Sequence, residues 1–415
     1  MSTVAVFGAG YAGVTTARRL ESLLPTDVDL IVVERSGTHL VQHELHRVIR
    51  RPSFEDDITV PLEELFEHAS IRQATVESID PEDRQATFDD GSTLSYDYGA
   101  VCLGAETAYY DLPGVETHAT PLKSLADAHT IRADFLDVLE TGGRVVIGGA
   151  GLSGIQVAGE LAALARQEAA ADRVTIELVE RLESVAPGFP ANFRTAVAEE
   201  LRERDIVLRT DTAVEAATDS VLETDAGEIP YDQLLWTGGI TGPMALGGDR
   251  PRVNSTLQLA DGTFVVGDAA RVVDRDGEAV PASAQAAVRE ARTAATNIAR
   301  LVDHDRSEDD LFEPRLEPYS FDDLGWIVSV GNGAVAQVGP TVVRGTAALA
   351  LKTTVGVGHL TSVGAVRNAV ELAREEFSGA LGLPMDAVDD LDTGKAEGVD
   401  GTQDGPEQEQ QHDDR

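Results

Sequence analysis

The chain has 415 residues, enough for two or three domains, and its 42% hydrophobic and 25% charged residues are typical of a soluble globular protein. Its formal net charge is -39, and its only lysines are Lys123, Lys352 and Lys395. No basic patch is visible, which argues against nucleic acid as a partner, and the diffuse acid excess is typical of adaptation to molar salt, where screening removes self-repulsion.

The chain contains a single cysteine, Cys102, which excludes an internal disulfide and a thiol relay between two cysteines. Because Cys102 lies in an apolar run, we interpret it as a small core residue and not as a nucleophile. The N-terminus leads directly into a strand without the pattern of a signal peptide, and no run of 18 apolar residues could span a bilayer. These features predict a cytoplasmic location.

The first predicted elements form a dinucleotide-binding unit. An apolar strand runs into the turn Gly8-Ala-Gly10-Tyr-Ala-Gly13, a helix follows, and a second strand ends at Glu34. Glycines at this spacing permit a tight turn, close backbone approach to a pyrophosphate and close helix–strand packing, while the helix N-terminus offers free N–H groups. Glu34 follows Gly13 by 21 residues, the usual distance for an acid that accepts from a ribose hydroxyl.

Three histidines follow at a spacing that predicts a shared helical face: His39, His43 and His46. A metal site of the His-Glu-x-x-His type is excluded because Arg47 stands where its second histidine would be. No thiolate or carboxylate cluster joins the three side chains. We therefore interpret them as a solvated or cofactor-flanking face and predict no metal.

Residues 71–103 predict β-hairpin strands that lead into a buried strand at 99–104. The segment Leu112-Pro-Gly-Val115 marks a crossing out of the first unit, and residues 123–140 predict a helix. A second glycine motif comes next, about 140 residues after the first, with the same context of strand before and helix after. Its turn is Gly149-x-Gly151-x-x-Gly154, and its second strand ends at Glu180. Two such units imply two dinucleotides in one protein.

The later elements return to the first unit. Predicted strands lead to Trp236-Thr-Gly238-Gly239, residues 258–268 predict one buried strand ending in Gly267-Asp268, and an alanine-rich helix covers about 281–301. We expect an acid-rich loop at 303–313. The remaining predictions are strands at 326–330 and 334–338, weakly amphipathic helices at 345–356 and 364–378, and a disordered tail at 386–415, where eleven acids stand against two bases.

The two glycine motifs with their acids, together with Phe264-Val-Val-Gly267-Asp268, resemble the two-dinucleotide flavoprotein superfamily that includes the pyridine-nucleotide disulfide oxidoreductases. Within it, the details are most similar to type II NADH dehydrogenases. The matching segments are His39-Leu-Val-Gln, Trp236-Thr-Gly238-Gly239, Ala284-Gln285-Ala-Ala, and Asp322 to Trp326 with Gly331 to Ala336. The resemblance covers roughly residues 2–370.

The resemblance implies an α/β fold of glutathione-reductase-like topology, in which an NADH-binding domain is inserted in an FAD-binding domain and a small C-terminal region follows. The implied limits are 1–112 and 241–312 for the two parts of the FAD domain, 113–240 for the NADH domain, 313–385 for a dimer or membrane-contact region, and 386–415 for the tail.

The resemblance also implies the site residues. FAD contacts are expected at Gly8, Gly10, Ala12, Gly13, Glu34, Arg35, His39, Val76, Gly104, Gly267, Asp268 and Ala284. NADH contacts are expected at Gly149, Gly151, Leu152, Ser153, Gly154, Glu180, Gly238 and Gly239. Catalytic roles are expected for Gln156, which would position the nicotinamide, and Gln285, which would orient the acceptor carbonyl.

Two positions depart from the family pattern. Arg289 stands where the quinone-side motif usually ends in Gln, and Gln156 stands where a Glu usually lies near the nicotinamide. Gln keeps the size and hydrogen bonding of Glu but lacks its charge. The single Cys102 disfavours sulfide:quinone reductases and excludes disulfide reductases, which need more cysteines.

The function implied is transfer of hydride from NADH to FAD and of two electrons to a quinone, with menaquinone as the expected acceptor. Two alternatives stay open: a soluble NAD(P)H-dependent flavoprotein reductase with a non-quinone acceptor, and a non-catalytic NADH/FAD redox sensor. The expected location is cytoplasmic, with peripheral contact on the cytoplasmic face of the membrane and a homodimer as further options for the C-terminal region.

Overall fold

We analysed a computed structural model that describes residues 2–307, 312, 314–345 and 347–352. The α-helices are α1 (Tyr11–Leu23), α2 (His46–Arg50), α3 (Glu55–Ile58), α4 (Val115–His118), α5 (Leu125–Thr141), α6 (Leu152–Gln167), α7 (Ala191–Arg202) and α8 (Ala284–Arg306). Short 3-10 helices cover Gln42–Glu44, Pro52–Phe54, Leu62–Glu64, Met244–Leu246 and Gly267–Ala269. Residues 347–352 are also helical.

The strands of the first half are β1 (Thr3–Phe7), β2 (Asp29–Glu34), β3 (Thr38–Leu40), β4 (Thr59–Pro61), β5 (Ser70–Gln73), β6 (Val76–Asp80), β7 (Gln85–Phe88), β8 (Thr93–Ser95), β9 (Tyr98–Val101), β10 (Glu106–Thr107), β11 (Gly143–Gly148) and β12 (Val174–Val179). The strands of the second half are β13 (Val207–Arg209), β14 (Val214–Ala217), β15 (Val221–Thr224), β16 (Gly227–Pro230), β17 (Gln233–Trp236), β18 (Ile240–Thr241), β19 (Arg252–Val253), β20 (Gln258–Ala260), β21 (Thr263–Val265), β22 (Arg271–Val272), β23 (Trp326–Val330), β24 (Gly333–Val338) and β25 (Thr341–Arg344).

The first unit is built on a six-stranded sheet of order β20-β21-β9-β1-β2-β5. Only β20 runs antiparallel to its neighbour, and the other pairs are parallel. Helices α1 and α8 pack closely together beside this sheet, because α8 offers a buried stripe of alanines that permits close approach. The second unit has a four-stranded parallel sheet of order β13-β12-β11-β17.

The second unit is inserted in the first. The chain leaves the first unit through β10 and returns through β18, and these two strands pair antiparallel with each other. Each unit also carries a three-stranded antiparallel sheet, β6-β7-β8 in the first and β14-β15-β16 in the second. The predicted α/β class with two dinucleotide-binding units, one inserted in the other, is confirmed. The exact domain limits stay predictions.

Several predicted elements were wrong in detail. Residues 71–73 belong to β5, which joins the parallel sheet beside β2, so the hairpin strands begin only at Val76. Residues 258–268 form two antiparallel strands, β20 and β21, because Gly262 has φ 72° and turns the chain. The acid-rich loop predicted at 303–313 begins only after Arg306, because α8 continues to that residue.

The three histidines do not share a helical face. His39 lies in β3, which pairs with β4, His43 lies in a 3-10 helix, and only His46 lies in α2. The prediction failed because His39 lies in a strand that pairs with Val60, and this strand interrupts the helical period. Among the residues that the structure describes, no three side chains form a group that could hold a metal ion.

The C-terminal sheet β23-β24-β25 packs on α6 and α7 of the second unit. Its Arg344 bonds Glu199 and Glu200 of α7 and Glu203, which follows the helix, at 2.8–2.9 Å. The predicted strands at 326–330 and 334–338 are confirmed as β23 and β24. Of the helix predicted at 345–356, residues 347–352 are helical. Residues 353–356, the helix predicted at 364–378 and the tail lie outside the described residues. Within the described ranges, no helix is long and apolar enough to cross a membrane.

Gly159 controls how closely the C-terminal sheet approaches α6. A Cβ at this position would lie 2.7 Å from the Val330 Cα and would also overlap the backbone nitrogen of Gly331. Alanine normally stabilises a helix by about 1 kcal/mol over glycine. Here overpacking of a rigid backbone contact outweighs that gain, since it destabilises by about 1–3 kcal/mol.

We therefore expect Gly159→Ala to lower the free energy of unfolding, measured by denaturant titration in molar KCl. Gly188→Ala is the matched control, because a Cβ at Gly188 meets no atom within 4 Å. A Gly159→Ala protein as stable as the Gly188→Ala protein would contradict the close packing.

Candidate active site

The first glycine turn forms a cradle at the carboxyl end of β1. Gly8 has φ 95°, and a Cβ there would lie 2.5 Å from the Cys102 carbonyl oxygen. A Cβ at Gly13 would overlap the carbonyl oxygen of Gly8, whereas the corresponding side of Gly10 is open. No side chain caps the N-terminus of α1. The turn therefore combines an open approach with free N–H groups, which suits a pyrophosphate.

Glu34 closes this cradle at the end of β2. Its Oε2 accepts a hydrogen bond from the Ala9 N–H at 2.9 Å, and its Oε1 accepts one from the Ser36 N–H at 3.1 Å. The side chain is half-buried, and a carboxylate has further lone pairs for a ribose hydroxyl. Glu34 thus both fixes the turn and presents an acceptor beside it.

His39 supports the cradle from within the protein. It is fully buried, and burial lowers the pKa of its imidazole, so the ring is neutral and its Nδ1–H donates to the Ala9 carbonyl at 2.8 Å. The structure therefore places His39 behind the turn.

The other predicted residues of this unit lie as follows: Ala12 buried in α1, Arg35 exposed after β2, Val76 in β6 opposite Phe88, and Gly104 after β9 with an open side.

The second cradle repeats the first. Gly149 has φ 97°, a Cβ at Gly154 would overlap the Gly149 carbonyl oxygen, and the side of Gly151 is open. The Glu180 carboxylate accepts from the Ala150 N–H at 2.9 Å and from the Leu182 N–H at 3.0 Å. Leu152 and Ser153 begin α6, whose N-terminus has no side-chain cap. Both predicted sites thus have the geometry of a dinucleotide cradle, and the contacts of individual residues stay predictions.

Across the switch point from Glu180, the second unit presents the turn Gly238-Gly239 after β17. Its backbone lies against Gly149, because a Cβ at Gly149 would come 2.6 Å from the Gly238 Cα. Ligands of such sheets bind outside the carboxyl ends of strands where the strand order reverses, here between the neighbouring strands β11 and β17. With the ribose acid on the β12 side, we expect the other half of a dinucleotide to lie over Gly238 and Gly239.

The first unit has a further turn at the carboxyl end of its sheet, Gly267-Asp268, after β21. Burial raises the pKa of the Asp268 carboxyl, although Lys123 and Arg250 oppose this rise. Arg250 donates to the Asp268 and Ala270 carbonyls, each at 2.7 Å. Sequence reasoning missed Lys123 and Arg250, because they approach this turn from other segments of the chain and carry no local motif.

Glu290 of α8 also holds this turn, and it was missed for the same reason. Its Oε2 accepts a hydrogen bond from the Gly267 N–H at 2.7 Å, and the residue is only 2% exposed. Burial and the neighbouring Asp268 raise the pKa of Glu290 to about 7, against the Gly267 N–H and Arg250, which lower it. A buried carboxyl that titrates near neutrality therefore contacts the backbone beside Asp268.

The two predicted catalytic glutamines lie in the first turns of their helices. Ala284 begins α8 after the cap residue Ser283, and the Nε2 of Gln285 is buried without a hydrogen-bond partner. Such a donor suits a ligand oxygen. Gln156 is half-buried on α6, two residues after Gly154. The open glycine turns, the uncapped helix N-termini and the unpaired Gln285 amide together fit two bound dinucleotides.

A buried polar cluster extends from the first cradle to the C-terminal sheet. Tyr11 contacts His43, whose Nε2 lies 3.1 Å from the Glu44 carboxylate. Lys352 Nζ lies 2.8 Å from Glu44 and donates to the Ser329 hydroxyl at 2.9 Å. These contacts lower the pKa of the fully buried Glu44 well below its usual value, against the effect of burial. His46 also joins this cluster, since its Nε2 is 2.9 Å from the same Ser329 hydroxyl. All three histidines thus make internal hydrogen bonds.

Comparison with known proteins agrees with this geometry. The family model described as pyridine nucleotide-disulphide oxidoreductase matches residues 2–291. The demethylphylloquinone reductase NdbB of Synechocystis sp. is 27% identical over 321 residues, which cover 71% of this chain and 78% of that protein. A type II NADH:quinone oxidoreductase of Staphylococcus aureus is 22% identical over 396 residues, covering 88% of this chain and 96% of that protein.

Solved structures show the same fold. NDH2 from Plasmodium falciparum superimposes with a TM-score of 0.78 at 14% identity, covering 92% of this chain and 99% of that one. The sulfide:quinone oxidoreductase of Aquifex aeolicus superimposes with a TM-score of 0.72 at 20% identity, covering 88% of this chain and 92% of that one.

The matched acids Glu34 and Glu180 allow the two cradles to be tested against each other. In Glu180→Gln, one oxygen can still accept an N–H, but an NH2 group faces the other donor and the negative charge is lost. We expect NADH to bind about tenfold more weakly and the preference for NADH over NADPH to narrow, because a 2'-phosphate no longer meets a carboxylate. Equilibrium titration with both nucleotides measures this.

Glu34→Gln is the matched control. It should reduce retention of FAD, measured as flavin absorbance after dialysis, and leave the NADH/NADPH ratio unchanged. An unchanged ratio in Glu180→Gln, or an equal change in both variants, would contradict the assignment of Glu180.

The raised pKa of Glu290 predicts a pH dependence with a definite sign. Between its ordinary value of 4.5 and about 7, the folded protein holds a proton that the unfolded chain has released, so stability falls as pH rises through this window and is constant above it. Glu290→Gln keeps an acceptor for the Gly267 N–H but does not ionise. We expect the variant to gain stability over the wild type across this window, by up to ~3 kcal/mol above pH 7.

Denaturant titrations of both proteins between pH 4.5 and 8 give the difference in their free energies of unfolding. The contributions of the many surface acids are common to both proteins and cancel in this difference. A stability difference that does not change with pH would contradict a titrating Glu290.

Proposed function

The chain belongs to the pyridine nucleotide-disulphide oxidoreductase family, and from this premise we propose that it is a type II NADH:quinone oxidoreductase. FAD occupies the cradle of the first unit and NADH that of the second. The observation that carries the proposal is the pair of equivalent cradles, each closed by a glutamate that accepts two backbone N–H groups. The curated relatives named above, which are a quinone reductase and an NADH:quinone oxidoreductase, support the acceptor class.

FAD held in the first cradle would supply the redox chemistry, namely hydride acceptance from NADH and two-electron reduction of the acceptor. The side chains of this protein bind and orient the reactants. Gly238 and Gly239 lack side chains, so a nicotinamide ring can approach the backbone, and Gln156 orients that ring by hydrogen bonding. The unpaired Nε2–H of Gln285 donates to a carbonyl oxygen of the quinone. Glu180 repels a 2'-phosphate and so favours NADH, while the exposed Arg181 beside it moderates that preference.

Cysteine chemistry plays no part in this mechanism. Cys102 is 4% exposed, and burial raises the pKa of its thiol to about 12, so it is protonated at neutral pH. Its sulfur lies 4.0 Å from the Thr16 hydroxyl, behind the first glycine turn. This distinguishes the site from thiol-based reactions on the same fold.

The cellular setting follows from the acceptor. A quinone of the menaquinone type dissolves in the bilayer, so we propose peripheral contact with the cytoplasmic face of the membrane through the C-terminal region 313–385. A homodimer interface is the competing use of the same region. Residues 353–385 of this region lie outside the residues that the structure describes.

The proposal is tested by separating the two half-reactions in the absence of oxygen. NADH should bleach the flavin absorbance of the purified yellow protein, and a menaquinone analogue should restore it faster than soluble acceptors do. Recovery only with soluble acceptors would favour a soluble reductase, and slow recovery with every acceptor would favour a redox sensor.

In the same experiment, substitution of each glutamine should slow a different half-reaction. Gln285→Leu should slow reoxidation by the quinone analogue about tenfold, because a hydrogen bond to the acceptor is lost, and leave bleaching by NADH unchanged. Gln156→Leu should slow bleaching and leave reoxidation unchanged. Equal slowing of both half-reactions by either variant would contradict the assigned roles.

A further inference from the structure

Tyr110 covers the turn that faces the nicotinamide half of the second site. Its hydroxyl donates to the Gly238 carbonyl at 3.2 Å, and a Cβ at Gly239 would overlap the phenol oxygen. Glycine at 239 therefore makes room for the tyrosine as well as for a nucleotide. The side chain is 62% exposed, so few contacts hold it in this position.

The backbone that carries Tyr110 is held firmly at its base. The Ala108 carbonyl accepts from the Trp236 indole N–H at 2.8 Å, and the Ala108 N–H donates to the Gly239 carbonyl at 3.1 Å. Tyr110 and Asp111 have φ of 55° and 54°, a left-handed conformation that two successive non-glycine residues rarely adopt. The loop is thus built to aim the phenol at the turn, and the exposed side chain is the part that can swing away.

The topology decides which half of the nucleotide meets Tyr110. Glu180 follows β12 and marks the adenosine ribose, whereas Gly238 and Gly239 follow β17 on the other side of β11. The ADP moiety therefore binds away from Tyr110, and the nicotinamide ring and Tyr110 require the same space.

We propose that the nicotinamide ring competes with the Tyr110 phenol for the face of the Gly238-Gly239 turn, so that Tyr110 is a specificity residue that weakens binding of the nicotinamide half alone. This rests on the proposed NADH site. Each binding event must break the exposed hydrogen bond to Gly238, and the same bond re-forms when the oxidised nucleotide leaves. Tyr110 thus favours product release without contacting the ADP moiety.

The test is isothermal titration of the FAD-loaded protein with NAD+, with the non-reducing analogue tetrahydro-NADH, and with ADP-ribose, which lacks the nicotinamide. In Tyr110→Ala, NAD+ and tetrahydro-NADH should bind about two- to tenfold more tightly, the effect of one exposed hydrogen bond. ADP-ribose should bind as it does to the wild type. Tyr110→Phe, which keeps the ring but loses the bond, should fall between the two.

Met244→Ala is the matched control, because Met244 is 67% exposed near the same turn but lies against Gly248, with its sulfur 3.6 Å from a Cβ built there. It should leave all three affinities unchanged. Unchanged or weaker binding of NAD+ to Tyr110→Ala, or an equal shift for ADP-ribose, would overturn the proposal. A wild-type protein that binds neither NAD+ nor ADP-ribose would instead refute the NADH site itself.

Discussion

The structure depends on one steric constraint, the contact between the first and third glycines of each nucleotide turn. At Gly13 and at Gly154, a Cβ would overlap the carbonyl oxygen of the first glycine of its own motif. Only this contact brings a helix N-terminus to the carboxyl end of a central strand with its N–H groups free. The glutamate at the end of the next strand then fixes the turn from the other side. Because both units share this arrangement of glycine turn, helix N-terminus and glutamate, each can hold a dinucleotide in the same orientation relative to its sheet.

The charge of the chain is organised around its few cations. With 33 basic against 72 acidic residues, the cations are too few to pair with every acid, yet several buried acids have one. Glu160 is bonded by Arg50 at 2.6 Å, and Glu177 by Arg209 at 2.6 Å. Burial of an unpaired carboxylate is far less favourable than its exposure, so the scarce cations are placed where the dielectric is low. Two of the three lysines follow this rule, Lys352 beside Glu44 and Lys123 near Asp268.

Sequence patterns predicted the parts of the site that are local in the chain. The glycine turns and their acids were found because strand, turn, helix and acid follow one another within about 35 residues. The arrangement of the three histidines was wrong, since β3 pairs with β4 and breaks the helix that their spacing suggests. Tyr110, Lys123 and Glu290 were missed because distant segments bring them to the site. The hydrogen bond from Tyr110 to Gly238 joins residues 128 positions apart in the chain, and the pairing of β10 with β18 brings them together.

Hydride transfer requires the reacting atoms of two rings to lie roughly 3–3.5 Å apart and in alignment, so the two cradles must be held in a fixed relation. The pairing of β10 with β18 joins the units at the crossing points of the chain, but it is only two residues long. A second restraint lies elsewhere: Arg50 of α2 in the first unit bonds the buried Glu160 of α6 in the second. The same Arg50 also donates to Asn332, in the turn between β23 and β24. The C-terminal sheet therefore fastens α6 against the first unit, and α6 is the helix that carries both the second cradle and Gln156. Restraint at two separated points prevents rotation about the short strand pair, and this explains why a sheet remote from both cradles approaches α6 closely enough to require Gly159.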